Sequence, residues 1–502
     1  MQPLHYYLAA LKDQLHEFYG DSGGPVRGAT GDSRKVDEDY IFVAIRGARF
    51  DGAEFAPDAV RAGAHTVVAE QLLELPEGTN QVIVKNAYKA ASRIAEAVAG
   101  YPARAMKLVG ITGTNGKTTC AYLMRDILTA AGVNTGMIGT IQYQIGDELI
   151  PAERTTPTPF ELQEVLEKMR EAAVDIVVTE VSSHALHQRR PGTAKFTGAL
   201  FTNLTGDHCD YHITMDNYFA AKQTLFTEYL RGDAPAVINI DDQYGRQLAD
   251  NLHSAGHGQI ITYGQAHDAD WQIQKKTAGL DGVRVRIRGP EATWMDYQSP
   301  VAGGFNIYNI TGTVVLAKYL GVSEEALSEA VSNFRGAPGR MEPIEIKAGI
   351  KAFVDYAHTD DALANVLEAV CALKPRRILL VFGCGGDRDR TKRPRMGSVA
   401  AQYADKLYVT SDNPRGENPD AIIKEIIEGI PDTSDKMVIT DRRKAILQAV
   451  ADAGEGDVVL VTGKGHETYQ EVKGEKYPFD DREILRSARC HAKRGSDPHA
   501  WV

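Results

Sequence analysis

Residues 107–119 read KLVGITGTNGKTT. The first six have the apolar, branched character of a buried strand, and the helix-like AYLMRDILTAAG follows at 121–132. Glycines between a strand and a helix let backbone N–H groups turn toward a polyphosphate, and the helix N-terminus adds positive potential. In such a loop Gly113, Thr114, Asn115, Gly116 and Thr119 surround the phosphates, Lys117 reaches the β/γ-phosphates and Thr118 holds Mg²⁺. The generic pattern sets four residues between its two glycines, whereas Gly110 and Gly116 have five between them. The bland alternative is a glycine-rich turn that only starts a helix.

Working outward, similar strands recur: YIFVAI (40–45), HTVVAE (65–70), DIVVTEV (175–181), GALFTNL (198–204), PAVINI (235–240), RILLVFG (377–383), KLYVTS (406–411) and DVVLVTG (457–463). Several are nearly all apolar, as strands covered on both faces are. Helix-like segments such as AIIKEIIEGI separate many of them, which predicts α/β architecture with mostly parallel sheets. Ligands of such sheets bind beyond the carboxyl ends of the strands. Polar, chemically capable sequences follow strand after strand: GTNGKTT, SSH, TGDHCDYH, CGGDRDRTKRP, DNPR and KGHET. Linker-like AGYPARAMKL and GAPGRMEP divide the chain into expected domains at 1–103, 104–338 and 339–502.

The 502 residues carry a net charge of −11, which argues against a nucleic-acid or anionic-membrane binder but permits a local phosphate pocket. Five cysteines without a C-x-x-C pair read as reduced thiols of a cytoplasmic protein. The charged N-terminus lacks the apolar core of a secretory signal, and no apolar run is long enough to span a membrane.

GTNGKTT resembles the ATP loop of the Mur ligase family, ATP-dependent amide-forming ligases that activate a carboxylate as an acyl phosphate. The resemblance runs through all three expected domains and implies a central P-loop domain, a Rossmann-like C-terminal domain and a smaller N-terminal one. It implies that Glu180 and His208 bind Mg²⁺, with two ions expected, and that Lys222 is carbamylated. Taken alone, a buried strand-end glutamate, a lone histidine and a helical lysine are more ordinary: an ion-pair partner, a structural imidazole and a solvated charge. Asn306 and Asn309, in GGFNIYNI, match asparagines near the nucleotide; three apart on a helix, they share a face. Arg340 and Asp355 match positions that complete the active site. Residue Asp360 follows His358-Thr359 where the family has proline.

The stretch DSRKVDEDYIFVAIRGARFDGAEF (32–55) resembles the first domain of ligases that take UDP-N-acetylmuramoyl peptides, with Ser33 and the loop 48–50 at uridine-diphosphate positions. Thr155, Thr156, Ser182, Gln188 and Arg190 suit a sugar-peptide bearing carboxylates.

SDNPRGENP (411–419) places Asp412, Asn413, Pro414 and Arg415 at a strand exit. A surface turn with an Asp412–Arg415 ion pair is one reading. DNPR also resembles the signature of family members that add meso-2,6-diaminopimelate. That substrate is lysine with a second, distal carboxylate, which arginine reads through paired hydrogen bonds. Arg388, Gly463 and Glu467 match the remaining contacts. The implied protein is a monomeric, cytoplasmic ligase of peptidoglycan precursor synthesis, joining diaminopimelate to UDP-N-acetylmuramoyl-L-alanyl-D-glutamate. An L-lysine-adding relative, a folylpolyglutamate-type ligase and a regulatory GTPase are the competitors. The absence of an Asn-Lys step removes the guanine-reading motif of the last.

Overall fold

The computed structural model describes residues 2–47, 50–279, 282–347 and 349–491, without the side chains of 209, 210, 347 and 489–491. Contacts group the chain into two units, residues 1–262 with 314–326 and residues 263–313 with 327–502.

In the first unit a five-stranded sheet has the order Leu15–Tyr19, Asn80–Val84, Ala64–Ala69, Tyr40–Val43, Gly28–Thr30, parallel except for its first strand. Helix Ala87–Val98 covers it with a face of small residues. A larger sheet places Lys107–Thr112 between Ile176–Glu180 and Gly198–Phe201, with Thr135–Ile138 and Ala236–Asn239 outside them, all parallel. These strands are almost wholly buried, so their apolar runs lack alternation. Register sets Glu180 beside Ile111 and Phe201 beside Thr112. Three chemically distinct loops therefore leave the sheet at one edge.

The two sheets of this unit are tied at the helix Ala87–Val98. The buried Glu96 carboxylate accepts from the Thr193 N–H at 2.7 Å and the Thr193 hydroxyl at 2.8 Å, and the Ser92 hydroxyl donates to the Arg189 carbonyl at 2.7 Å. These three bonds anchor the segment that follows Gln188.

In the second unit, Ile350–Asp355, Val458–Thr462, Ile378–Phe382, Lys406–Val409 and Lys436–Val438 form a parallel sheet in that order, edged by the antiparallel Glu342–Lys347. Asp355 pairs with Thr462 and Phe382 with Val409 in register, so loops 356–359, 383–388, 410–415 and 463–467 share a side. The expected strands all form. An antiparallel set at Trp271–Gly279, Gly282–Arg288 and Trp294–Ser299 was not expected from the all-apolar pattern. Its middle strand alternates buried Val283, Val285 and Ile287 with exposed Arg284, Arg286 and Arg288, the mark of a one-sided sheet.

In the same unit, Arg442 donates two hydrogen bonds to the Asp481 carboxylate, from Nε at 2.9 Å and Nη2 at 2.7 Å, with neither side chain exposed. Arg442 also donates to the Thr462 carbonyl at 2.8 Å, fixing the strand end that carries Gly463. Replacing Arg442 by methionine leaves a buried carboxylate unpaired. The expected loss, read from denaturant unfolding, is about 3–5 kcal/mol.

Candidate active site

Gly113 begins the phosphate loop with φ 150°, and a Cβ there would lie 1.9 Å from the Thr202 hydroxyl oxygen, so the position requires glycine. Gly116, at φ 88°, ends the loop, and helix Lys117–Ala130 starts directly after it. The loop is held by its neighbour: Thr114 N–H donates to the Asn203 carbonyl at 2.9 Å and Asn115 N–H to the Asn203 side chain at 2.9 Å. Thr119 is buried on the helix's first turn. Lys117 curls over the loop, its ammonium 2.9 Å from the Gly113 carbonyl and 2.7 Å from that of Thr114.

Lys222 reaches the same oxygen. Its Nζ donates to the Gly113 carbonyl at 2.8 Å and lies 4.7 Å from the centre of the Tyr218 ring. The side chain is buried, not solvated as an isolated helical lysine would be. Burial first, and Lys117 second, push its pKa well below the ordinary lysine range.

Glu180 has no exposed surface. Its carboxylate accepts from the Thr118 hydroxyl at 2.9 Å, the Thr140 N–H at 2.8 Å and the Thr140 hydroxyl at 3.0 Å. A buried carboxylate beside a threonine hydroxyl is a hard-oxygen donor set, and it fits Mg²⁺. Among the described residues no preformed cluster of three His, Cys, Asp or Glu ligands exists. The phosphates of a nucleotide and water would supply the remaining oxygens.

The residues expected to hold the acceptor connect to this centre. The Thr140 hydroxyl lies 3.1 Å from that of Thr155, and Thr156 donates to the Glu180 carbonyl at 2.8 Å and lies 3.3 Å from the Ser182 hydroxyl. Ser182 caps helix Ser183–His187. Arg190 donates to Gln188 at 2.8 and 3.0 Å and to the Thr156 carbonyl. Burial, with Arg154 nearby, lowers its pKa to about 10. His208 sits in the left-handed region at φ 55°, its ring 4.8 Å from that of His184 and 5.8 Å from that of Tyr218. His184 is pushed down to about 3 by burial, then by His208 and His212. Ser33 opens the short turn Ser33–Lys35 after the edge strand of the five-stranded sheet. Ala48 and Arg49 of the expected uridine loop lie outside the described residues.

In the second unit, Asn306 and Asn309 do share a helix face: Asn309 donates to Asn306 at 3.0 Å, which donates to the Ala302 carbonyl at 2.7 Å. The Asp355 carboxylate accepts from the Met341 and Ala357 N–H groups, each at 2.7 Å, and burial raises its pKa despite Arg340. The Arg340 guanidinium stacks over Tyr356, 4.6 Å from its centre. Asp360 is the first residue of helix Asp360–Ala372, capped by Thr359. Proline and aspartate both suit that position, one by its fixed φ and the other by the helix dipole, so the departure from the family pattern leaves the helix start intact.

Asp412 and Arg415 make no ion pair with each other. Arg415 instead has Nε 3.2 Å from Glu471 and donates from Nη1 to the Gly386 carbonyl at 2.8 Å. Its backbone, at φ 50°, is clamped on both sides by Glu471 O and Lys473 N–H, at 3.0 and 2.7 Å. Asp412 faces Gly463, where φ is 111° and a Cβ would lie 2.4 Å from its Oδ2. Asn413 donates to Glu467 at 2.8 Å. Pro414 forms the wall against Gly386, and Arg388 is exposed at the rim.

Several participants were not singled out from sequence. Thr140, in GTIQ, gives Glu180 two of its three donors, and nothing in that tetrapeptide signals it. Arg393, fully buried, donates to Glu417 at 2.7 and 3.0 Å and to Glu425 at 2.8 Å. It thereby braces the loop that carries Arg415.

Three family models match the chain in order: Mur ligase family, catalytic domain, over residues 25–105; Mur ligase middle domain over 111–317; and Mur ligase, glutamate ligase domain, over 339–465. The chain belongs to the Mur ligase family. Among its relatives is the UDP-N-acetylmuramoyl-L-alanyl-D-glutamate–2,6-diaminopimelate ligase of Aquifex aeolicus, 40% identical over 92% of this chain and 93% of the relative. The ligase of the same name from Gloeobacter violaceus is 42% identical over 95% and 98%. A solved structure of a ligase so named has 32% identity and a TM-score of 0.68, covering 96% of this chain and 98% of its own. No helix among the described residues is long and apolar enough to cross a membrane.

The Arg393 hydrogen bonds pull the Glu417 carboxyl down to about 2. A depressed carboxylate contributes stability above its unfolded pKa and loses it as pH falls through the folded one. Thermal melts between about pH 4.5 and 2 should fall more steeply for the wild type than for Glu417→Gln.

Proposed function

We propose that the chain is an ATP-dependent ligase that joins meso-2,6-diaminopimelate to UDP-N-acetylmuramoyl-L-alanyl-D-glutamate in cytoplasmic peptidoglycan precursor synthesis, acting as a monomer. The observation that carries the reading is the DNPR loop. It holds a guanidinium and a buried acid on one strand exit without pairing them to each other. Relatives so named, 40% identical over nearly the whole chain, support the same reading. The three segments 1–103, 104–338 and 339–502 then serve the uridine nucleotide, ATP and the amino acid.

In this reading the γ-phosphoryl group of ATP passes to the γ-carboxylate of D-glutamate, giving an acyl phosphate and ADP. The free amine at the L-centre of diaminopimelate attacks the acyl carbon, and collapse of the tetrahedral intermediate expels phosphate and leaves the amide. Lys117 exchanges its two carbonyl partners for β/γ-phosphate oxygens. Thr118, Glu180, His208 and carbamylated Lys222 would hold two Mg²⁺ ions, which offset the repulsion between ATP and the acceptor carboxylate. Neutral amines form carbamates, and the burial of Lys222 favours that form. Gly113, Thr114, Asn115, Gly116 and Thr119, with Asn306 and Asn309, bind the nucleotide; Arg340 and Asp355 belong to the catalytic set. Ser33 takes the uridine nucleotide. Thr155, Thr156, Ser182, Gln188 and Arg190 take the peptide. Arg388 and Arg415 read the distal carboxylate, while Asp412, Asn413, Gly463 and Glu467 complete the amino-acid pocket.

The test is ADP release with ATP, Mg²⁺ and the UDP-dipeptide, comparing meso-diaminopimelate with L-lysine. Turnover should require diaminopimelate, and Arg415→Ala should lower kcat/KM for it by roughly 10²-fold or more. Equal turnover with lysine would sink the selectivity reading. In a second experiment, ¹³C-bicarbonate should give a carbamate carbon signal that is lost in Lys222→Arg; its absence from the wild type would remove that ligand.

A further inference from the structure

Lys464 lies in KGHET but holds no role in the reading above. Its side chain has no exposed surface, and its ammonium donates to Asn413 Oδ1 at 2.9 Å and to Glu467 Oε2 at 2.9 Å. Asn413 closes the triangle by donating from Nδ2 to the same Glu467 oxygen at 2.8 Å. The Glu471 N–H also donates to Asn413 Oδ1, at 2.9 Å. These bonds fix which way the Asn413 amide faces, with its oxygen toward two donors and its amino group toward the carboxylate. They also commit one oxygen of Glu467 and leave Oε1 as its acceptor for an incoming group.

A surface lysine makes such contacts at little gain. A fully buried ammonium is retained only where its partners compensate it closely. Here the partners are two residues of the amino-acid pocket, and acids crowd the same region: Asp412, Glu467 and Glu471 face the strand exits. An unshielded Glu467, repelled by those acids, would turn from the pocket, and that change removes an acceptor for an ammonium group.

We infer that Lys464 is a positioning residue for the amino-acid substrate: it locks Asn413 and Glu467 in the one arrangement that receives an ammonium of the incoming diamino acid. The inference rests on the assignment of this pocket to diaminopimelate. Lys464 acts through its two neighbours and takes no part in phosphoryl transfer.

Steady-state kinetics of the full chain test it, with each substrate varied in turn. In Lys464→Met the KM for meso-diaminopimelate should rise about tenfold or more, while the KM values for ATP and the UDP-dipeptide stay within about twofold. Lys464→Arg, which keeps the charge, should recover part of the loss. A uniform rise in all three KM values, or none, would overturn the inference and make Lys464 a fold-stabilising residue only. If Lys464→Met does not fold, Lys464→Gln is read by the same split. Lack of turnover by the wild type with diaminopimelate would overturn the pocket assignment together with the inference. Wild-type turnover with no selective effect in the variant would overturn the inference alone.

Discussion

One carbonyl oxygen, that of Gly113, accepts hydrogen bonds from two lysine ammonium groups, Lys117 at 2.9 Å and Lys222 at 2.8 Å. Two like charges at one oxygen repel, and burial followed by Lys117 favours the uncharged form of Lys222 against the nearby Asp207. The phosphate loop, the helix that bears Lys222 and the neighbouring strand exits are all arranged around that concentration of positive potential. The buried Glu180 lies on the adjacent strand, tied to the loop through Thr118. A polyphosphate with its cations would bring negative charge to that concentration of positive potential.

The parallel strands were legible because burial on both faces leaves an unbroken apolar run, as at Ile176–Glu180 and Val458–Thr462. The one-sided strands at Gly282–Arg288 were not, because their arginines break that run in the alternation of a half-exposed sheet. The strand, glycine-rich turn and helix at 107–130 were legible from the glycines and the apolar run alone. Glu180, His208 and Lys222 each look ordinary in isolation and gained meaning only from the family pattern. Thr140 was out of reach for a plain reason: a threonine in a loop becomes a carboxylate cap only once folding sets its N–H and hydroxyl against Glu180.

The opening ambiguity of the DNPR loop was physical as well. Sequence puts an acid and an arginine three residues apart and suggests that they neutralise one another. The fold separates them by giving Arg415 a left-handed backbone and a different carboxylate, Glu471. Pairing information of that kind resides in the hairpin Tyr469–Val472 and Glu475–Pro478, more than fifty positions downstream, which local reading does not reach.

The Glu96–Thr193 and Ser92–Arg189 bonds make the segment 189–193 hang from a helix of the first hundred residues. The N-terminal segment is therefore no interchangeable cassette. A chimera that grafts another family member's first domain onto this chain inherits a mismatched hook unless residues 189–193 travel with it, and the boundary for modular exchange falls at contacts, not at the linker in the sequence.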